Sequence, residues 1–530
     1  MELAPIHTSP LSRFRGKGLG DRGWCLLVSL FLISLFSACS PLYPLQPWDD
    51  PDVFMSIGKS VLSGKLMYHD IYDQKGPVLF FMHEIAAWLS YTSFLGIYVV
   101  ECICMFFFLR YGLKTMRLFS DSQICLPLMC LMGLVTATSD CFYYGDSVEE
   151  FCLPLLAQCM YYMLAYIKRG TFPTCTQAFI VGIEAGLIFW TKFNIMIFYG
   201  GGFLALAVVA FVRQRKTRTI LNHSELSLLL STAMFVIAGM IPVTIGVLAY
   251  FACHGTLADL FQSYFYNNLF MYGDKSANGE PDVWWFPLVK LSIWLVLMLP
   301  VLMPKVRWEV KLLVSMTYGL LLLTFATMTV QLYYFVLLFA FSPLVIYRFR
   351  NARLSRKSIA IMISIAIWQT IFNWNVVTLV MGTFPTKVLG MVEIIDQNHS
   401  NDSRVLNFSS YDTGVYVLSQ RQLPPNRHFF LPNILSDEIR QEQRQWVESG
   451  KVKYLVRWIG SVKTTHDYYA ASIPDNYHLI YDGTENYRYR FYTTPTKYLW
   501  NLVWTRPIMS AAGIIPEVEP QHMMLYERRP

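Results

Sequence analysis

Several motifs that mark common enzyme classes are missing from this sequence. It has no C-x-x-C pair, and all eleven cysteines lie before residue 254, so neither a zinc site nor a dithiol redox motif is indicated. It also has no P-loop and no G-x-S-x-G motif. Its "HEIAA" stretch at 83–87 has Ala87 where a zincin helix requires histidine. None of these signatures therefore indicates what the chain does.

Charge is scarce as well, because only 15% of the 530 residues are charged and 54% are hydrophobic. A soluble domain cannot bury that much apolar surface. The apolar residues form blocks of about 20, which match the thickness of a bilayer and must be helical in lipid. The net charge of +7 is spread over the loops, so it indicates membrane orientation rather than nucleic-acid binding.

The positive-inside rule indicates which of these blocks cross the bilayer and in which direction. If block 77–93 does not cross the bilayer, every basic cluster between the blocks falls in the cytoplasm, so we predict that this block lies on or dips into the outer leaflet. The sequence then predicts a cytoplasmic N-terminus at 1–23 and about eleven spans within a membrane domain at 24–383. The spans are 24–40, 94–112, 122–139, 149–167, 176–193, 194–212, 226–251, 286–304, 309–327, 330–347 and 358–383.

The C-terminal part of the chain has a different pattern. The stretches "RVLNF", "KYLVRW" and "YHLIYDG" are typical of strands, and "SDEIRQEQRQWVESG" is typical of an amphipathic helix that starts at Ser436. We therefore predict a small, soluble α/β domain at 384–530. The orientation derived above makes this domain extracytoplasmic.

Acidic residues are concentrated in the first outer segment, 41–93, which includes "WDDPDVFMSIGKSVLSGKLMYHDIYDQKGP". Pro51 can open a helix with Asp50 as its N-cap, and the helix would lie along the membrane face and end at Gly64. An alternative interpretation is that the acids merely cap an amphipathic helix in a solvated loop.

A second acidic outer segment reads "TSDCFYYGDSVEEF". Asp146 or Ser147 can cap the following helix, but a cap does not account for Asp140, Glu149 and Glu150 together. Two acidic segments on one side of the membrane indicate either a general base with a partner acid or a site for a divalent cation.

A third feature is "GIEAGLIFWTKFN". Gly182 and Gly186 form a small-x-x-x-small face that predicts close helix packing. Lys192 lies at the predicted outer end of its span, where its ammonium group can reach the membrane surface or meet a phosphate.

Together these motifs resemble bacterial GT-C fold glycosyltransferases, the membrane enzymes related to protein O-mannosyltransferases and lipid A aminoarabinose transferases. "GDSVEEFCLPLL" resembles the second acidic loop of that family, and the Gly182, Gly186 and Lys192 spacing resembles its later lysine motif. The first outer segment carries the most specific match, at Gly58, Lys59, Leu62, Gly64, Tyr68, Asp70, Tyr72, Gln74, Lys75, Gly76 and Pro77.

The resemblance implies an inverting transfer of a sugar from a polyprenyl-phosphate donor to a glycan, lipid or protein acceptor at the outer face of the cytoplasmic membrane. It implies that Asp50 is the catalytic base, with Asp49 as its rival. Glu149 or Glu150 would be the second acid. The substrate-binding residues would be Asp49, Asp70, Tyr72, Lys75, Asp146 and Lys192, and of these Asp70 and Lys75 would shape the phosphate end of the site. Metal-dependent members often carry D-x-D where this chain has "GDSVEE", so no cofactor is predicted and a divalent cation stays open.

Two other functions fit a polytopic chain. A transporter or flippase of envelope glycolipids would be expected to show internal repeats and buried midplane charges, but the sequence shows no repeat and its acids cluster at one surface. A scaffold that has lost its chemistry would not be expected to retain so many polar residues in these segments.

Overall fold

A computed structural model gives the structure of the chain. It describes residues 19–139, 141–217, 225–271, 306–326, 332–371, 373–381, 386–398, 404–432, 437–459, 473–483, 485–487 and 519–529. Several sequence features lie outside these ranges. They are the basic N-terminus before residue 19, Asp140, the predicted span 286–304 and the predicted helix start at Ser436.

The first half of the chain is helical. After α1 and the first outer segment, long apolar helices follow one another with short connections, and a 3₁₀ turn at Phe193–Met196 separates α7 from α8. The helices are α1 Asp21–Phe36, α2 Asp49–Leu62, α3 Pro77–Leu89, α4 Leu95–Phe119, α5 Cys125–Thr138, α6 Val148–Arg169, α7 Cys175–Lys192, α8 Ile197–Thr217 and α9 Glu225–Cys253.

The described residues between 257 and 397 form shorter and less regular helical elements. They are α10 Leu257–Leu260, a π-helical segment Phe261–Met271, α11 Trp308–Ala326, a 3₁₀-helical segment Leu332–Val345, α12 Ile346–Phe349, α13 Arg356–Ile371, α14 Trp374–Met381 and α15 Lys387–Gln397.

Within the described ranges, four helical stretches are long and apolar enough to cross a membrane: Leu95–Phe119, Val148–Arg169, Cys175–Arg215 and Glu225–Cys253. The last of these exposes large apolar side chains such as Met234 and Ile245, as expected for a helix that faces lipid. These helices indicate a multi-pass membrane protein. The count of eleven spans stays a prediction.

Residues 387–529 contain the α/β unit. Its helices are α15, α16 Val415–Leu418 and α17 Asp437–Glu448, and its strands are β1 Val405–Asn407, β2 Tyr454–Ile459, β3 Tyr477–Asp482, β4 Glu485–Tyr487 and β5 Glu519–Arg528. The sheet order is β1-β2-β5-β3, with β4 also paired to β5. Among the described strands, only β1 and β2 pair in parallel; Val405 lies beside Tyr454, and Leu455 lies beside Tyr526 of antiparallel β5. The three strands and the helix expected from the sequence are confirmed.

Helix α3 corresponds to the block predicted to lie at the outer leaflet. Its 13 residues span only about 20 Å, less than the ~30 Å of a hydrocarbon core. The polar His83 on this helix is not turned towards lipid or water, because its side chain is fully buried and bonded to Asp146.

Helix α2 differs from the predicted surface helix in two ways. Every residue from Pro51 to Val61 is buried, so the solvated-loop interpretation is wrong. The helix also begins two residues earlier than predicted, at Asp49 rather than Pro51, with Trp48 in the capping position and no side-chain cap, so the prediction that Asp50 caps it is wrong. Asp50 lies in the first helical turn instead.

Two neighbours bury α2. Helix α3 covers one side so closely that a Cβ on Gly58 would lie 2.5 Å from the carbonyl carbon of His83. The α/β unit covers the other side, where Ser56 Oγ donates to Asp412 Oδ2 at 2.6 Å. Lys59 Nζ donates to the carbonyl oxygens of Tyr416 at 2.6 Å and Ser419 at 2.9 Å. The first outer segment and the α/β unit therefore share one core.

Helices α7 and α9 pack through glycine, and this confirms the packing role predicted for "GIEAG". A Cβ on Gly182 would lie 2.1 Å from the carbonyl oxygen of Val236, and one on Gly239 would lie 2.0 Å from that of Phe179. At Gly186 the nearest atom would be 3.1 Å away, on the Val243 side chain. The contact fixes α7, which carries Lys192 at its end.

Candidate active site

The first turn of α2 is anchored by aromatic packing. The Trp48 ring lies 5.0 Å from the ring of Tyr143 in an edge-on contact and 5.0 Å from the ring of Tyr333. Trp48 is buried and has extended backbone angles, so the chain enters the helix from a fixed direction. The first helical turn that follows contains Asp49 and Asp50.

Asp50 faces a lysine and a tyrosine. Lys75 Nζ lies 3.4 Å from Asp50 Oδ1, and Tyr333 Oη lies 3.4 Å from Asp50 Oδ2. The same ammonium group lies 3.7 Å from Asp73 Oδ2, and burial raises the pKa of the Asp73 carboxyl while Lys75 lowers it. Both contacts of Asp50 are long for hydrogen bonds, so its carboxylate is held in place but not tightly engaged.

Asp49 has a different environment from its neighbour. Its Oδ1 accepts a hydrogen bond from the backbone N–H of Asp50 at 3.1 Å. Burial, reinforced by the charge of Asp50, raises the pKa of the Asp49 carboxyl to about 7. Local backbone bonding occupies Asp49, whereas Asp50 points to groups from other segments.

A second acid and a second lysine come from the ends of two long helices. Ser147, one of the two predicted alternatives, is the N-cap of α6, and its Oγ accepts from the backbone N–H of Glu150 at 3.1 Å. In the same first turn, the fully buried Glu149 forms an ion pair with Lys192 at the end of α7. Lys192 Nζ also lies 3.8 Å from the centre of the Tyr334 ring.

A cavity of about 400 Å³ joins these groups. It contains two acids and two lysines from four separate segments, together with amide, hydroxyl and aromatic side chains. The lining residues are Trp48, Asp50, Phe54, Gln74, Lys75, Val148, Glu149, Thr191, Lys192, Phe193, Asn194, Tyr264, Asn268, Leu269, Thr324, Tyr333 and Tyr334.

Four sequence-predicted site residues, Asp50, Lys75, Glu149 and Lys192, line this cavity, and the others lie elsewhere. Asp70 is exposed and accepts from the backbone N–H of Leu66 at 2.8 Å, within a local turn. Tyr72 is buried, and its hydroxyl accepts from Asn267 Nδ2 at 2.8 Å. Burial raises the pKa of the Tyr72 hydroxyl to about 12.

Asp146 and Glu150 belong to a buried network beside the cavity. His83 Nε2 lies 3.1 Å from Asp146 Oδ1, and the backbone N–H of Asp146 donates to Glu101 at 2.8 Å and to Glu150 at 3.0 Å. Asp146 adopts a left-handed backbone with φ +60°, and these bonds hold it there. Burial raises the pKa of the Asp146 carboxyl, and the adjacent His83 opposes that shift. The network fixes the turn that leads into α6.

Sequence reasoning missed most of the uncharged lining. Tyr333 and Tyr334 fall within a block interpreted only as a span, and Asn268 falls within a long outer segment with no recognisable motif. The "YY" doublet at the outer end of an apolar block is a signal that could have been used, because tyrosine favours membrane interfaces.

Each acid of the cavity is paired with a different lysine. Asp50 faces Lys75 and Glu149 faces Lys192. In the part of the chain that the structure describes, no group of three histidine, cysteine or acidic side chains is arranged to hold a metal ion. We therefore assign no residue to a metal.

Comparisons with known proteins identify the fold. No protein-family model matches the sequence, and no curated protein matches it. The structure is similar to the crystal structure of ArnT from Cupriavidus metallidurans bound to undecaprenyl phosphate, with a TM-score of 0.53 at 11% identity over 84% of this chain and 95% of that chain. The oligosaccharyltransferase of Archaeoglobus fulgidus, tethered with an acceptor peptide, gives a TM-score of 0.47 at 13% identity over 98% and 89% of the two chains. The first similarity shows that this chain has the GT-C fold, which the sequence motifs predicted.

Proposed function

We propose that this protein is a glycosyltransferase that moves a sugar from a polyprenyl-phosphate donor to an acceptor at the outer face of the cytoplasmic membrane. The observation that carries the proposal is the cavity in which Asp50, Lys75, Glu149 and Lys192 meet. The GT-C fold supports it, and so does the undecaprenyl phosphate bound to the structurally similar ArnT. The acceptor is a glycan, a lipid or a protein.

The two lysines suit the phosphate of such a donor. Lys75 and Lys192 are each about one-sixth exposed, at 18% and 16%, so their charges are only partly screened by water. Ammonium groups in such surroundings bind phosphate oxygens with charge-assisted hydrogen bonds. They also stabilise the negative charge that the phosphate gains when its bond to the sugar breaks.

Asp50 is the proposed general base. Its carboxylate takes the proton from an acceptor hydroxyl, and the hydroxyl oxygen forms a bond to the anomeric carbon of the sugar. The bond from that carbon to the phosphate oxygen breaks, and its electron pair stays on the released polyprenyl phosphate. A single displacement of this kind inverts the anomeric configuration. Once a phosphate draws Lys75 towards itself, the long contact between Lys75 and Asp50 frees the carboxylate for the acceptor.

The test compares the two adjacent aspartates. A deletion strain is complemented with the wild-type chain, with Asp50→Asn or with Asp49→Asn, and the envelope glycans are analysed by mass spectrometry. Asp50→Asn is expected to lower glycan transfer by about 100-fold or more, because it removes the base. Asp49→Asn is expected to retain most of the transfer, because Asp49 does not line the cavity.

Membrane abundance of both variants is measured by immunoblot, so that a folding defect is recognised. Full transfer by a normally inserted Asp50→Asn protein would remove Asp50 from the mechanism. An unchanged glycan profile in the deletion strain, combined with glycolipid uptake by reconstituted vesicles, would favour a transporter instead.

A further inference from the structure

Gln74 and Glu149, two residues of the cavity wall, each have a side-chain oxygen atom with no hydrogen-bond partner in the part of the chain that the structure describes. These atoms are Oε1 of Gln74 and Oε2 of Glu149. Gln74 is 1% exposed and Glu149 is 0% exposed, so bulk water does not solvate them freely. Both side chains line the cavity that contains Asp50.

The backbone on either side of the Gln74 side chain is held in place. Its N–H donates to Asp73 Oδ1 at 2.6 Å, and its carbonyl oxygen accepts from Asn268 Nδ2 at 2.6 Å. The side chain therefore starts from a fixed point, and its amide oxygen is not used for folding. Glu149 is fixed through its other oxygen, which contacts Lys192.

Both unpartnered atoms are hydrogen-bond acceptors. A buried acceptor without a donor costs free energy, so a ligand that brings donors gains from binding here. Phosphate is the wrong complement, because a phosphate anion also presents acceptor oxygens and its natural partners are the two lysines. Hydroxyl groups are the right complement, because each can donate one hydrogen bond.

Aromatic rings complete this part of the wall. Phe193 and Tyr264 line the same cavity, with ring centres 5.4 Å apart. Tyr264 is fixed, because its hydroxyl receives the backbone N–H of Phe193 at 3.0 Å and donates to the carbonyl oxygen of Phe189. Such rings offer an apolar surface for a C–H face, beside acceptors for hydroxyl groups, which is the usual division of a small-molecule site.

We propose that Gln74 and Glu149 form the sugar subsite, in which their free oxygens accept hydrogen bonds from hydroxyl groups of the transferred sugar. Lys75 and Lys192, in the same cavity, hold the phosphate. This assignment rests on the proposed function and extends it, because it names Gln74 as a specificity-determining residue and a hydroxyl-bearing sugar as the ligand class.

The test separates sugar binding from carrier binding. The purified full chain in nanodiscs is titrated with undecaprenyl phosphate alone and with undecaprenyl-phosphate-linked glucose, mannose and N-acetylglucosamine. The measured quantity is the gain in affinity that the sugar adds over the bare carrier. We expect at least one sugar to increase the affinity of the wild type over that for the bare carrier. In Gln74→Met, this increase in affinity should be about 3- to 10-fold smaller. The affinity for the bare carrier should change much less.

Gln441→Met is the matched control, because Gln441 is exposed on α17 of the α/β unit and should leave the gain intact. If Gln74→Met retains the full gain, Gln74 does not bind the sugar and the inference is overturned, while the proposed function stands. The inference is equally overturned if the wild type gains affinity from none of the three sugars. Failure of the wild type to bind even the bare carrier would instead contradict the proposed function.

Discussion

At the scale of single residues, the site shows how neighbouring carboxylates acquire different properties. Asp49 and Asp50 are adjacent, yet one bonds to local backbone and the other faces Lys75 and Tyr333. Helical geometry causes the divergence, because consecutive side chains point about 100° apart. The sequence alone left the two as rivals for the catalytic base, and the cavity lining favours Asp50.

The Asp49 pKa predicts how stability depends on pH. An acid whose pKa is raised by folding, here to about 7 from an ordinary value of about 4, binds its proton more tightly in the folded state. The folded chain therefore loses stability as pH rises from about 4 to about 7, and no more is lost above that range. Asp49→Asn removes this cost. We expect the melting temperature of the variant minus that of the wild type to increase across this interval and then level off.

Differential scanning fluorimetry of the protein in detergent, at pH 5, 6, 7 and 8, measures this difference. The same substitution at the exposed Asp475 controls for the loss of an aspartate as such. A difference that stays constant across the series would mean that Asp49 titrates well below pH 7 in the folded protein.

The charged residues that line the cavity could be identified from the sequence, whereas the uncharged residues that line it could not. Asp50, Lys75, Glu149 and Lys192 stand in recognisable motifs, and the structure brings them into one cavity. Their catalytic and binding roles stay predictions. Tyr333 and Asn268 reach the same cavity from segments whose sequences look like ordinary span and loop, because side-chain convergence depends on the packing of distant helices.

At the scale of helices and strands, the sequence pattern predicted whether an element is a helix or a strand, but it did not predict what packs against that element. The sequence predicted a helix opened by Pro51 and ended at Gly64, and α2 at Asp49–Leu62 is a helix. Its burial was not predictable, because the α/β unit that covers it lies more than 350 positions away along the chain. The strands β1, β2 and β3 were recognisable by alternation, but β5, which pairs with β2, β3 and β4, was missed.

The packing of α7 against α9 predicts unequal effects at two glycines. Gly182→Ala places a methyl group 2.1 Å from a backbone oxygen, which neither helix can relieve without moving apart. We expect a loss of about 1–3 kcal/mol in the free energy of unfolding. At Gly186 the nearest contact is 3.1 Å, to a side chain, so Gly186→Ala should cost clearly less. Thermal unfolding of the two variants in one detergent measures both effects, and equal losses would show that α7 and α9 do not pack this closely.

The hydrogen bonds of Lys59 attach the α/β unit to α2, and their contribution can be tested. Its ammonium group is fully buried and donates to three carbonyl oxygens, of Tyr416, Val417 and Ser419. Burial lowers the pKa of this lysine to about 8. Lys59→Met leaves the three carbonyl groups without their donor, at a cost of about 1–3 kcal/mol. We expect faster release of a C-terminal fragment in limited proteolysis.

The exposed Lys451, which lies in the same unit, provides the control substitution Lys451→Met. Unchanged protease resistance of Lys59→Met would show that other contacts hold the unit on their own. The transfer activity of the same variant is informative too, because α2 also carries Asp50.

At the scale of the whole molecule, the orientation of the chain can be tested with its own cysteines. Cys175 at the start of α7 and Cys253 at the end of α9 are both exposed. The topology predicted from the basic clusters places Cys175 inside and Cys253 outside. A membrane-impermeant maleimide should therefore label Cys253 in intact spheroplasts, and Cys175 only after permeabilisation.

Cys175→Ser and Cys253→Ser variants assign each labelled band. Labelling of Cys175 in intact spheroplasts would show that the chain has the opposite orientation to the predicted one. The cavity would then open to the cytoplasm, and a reaction at the outer face would be impossible.

The bond between Lys59 and Tyr416 also has a consequence for biosynthesis. The two residues are 357 positions apart, and at 5–20 residues per second a ribosome needs roughly 20–70 s to travel between them. During that interval the nascent helix α2 lacks the surface that will cover it. We therefore expect α2, which carries Asp50, to reach its final packing only after the α/β unit is made, and a chain that terminates before Tyr416 should leave this helix uncovered.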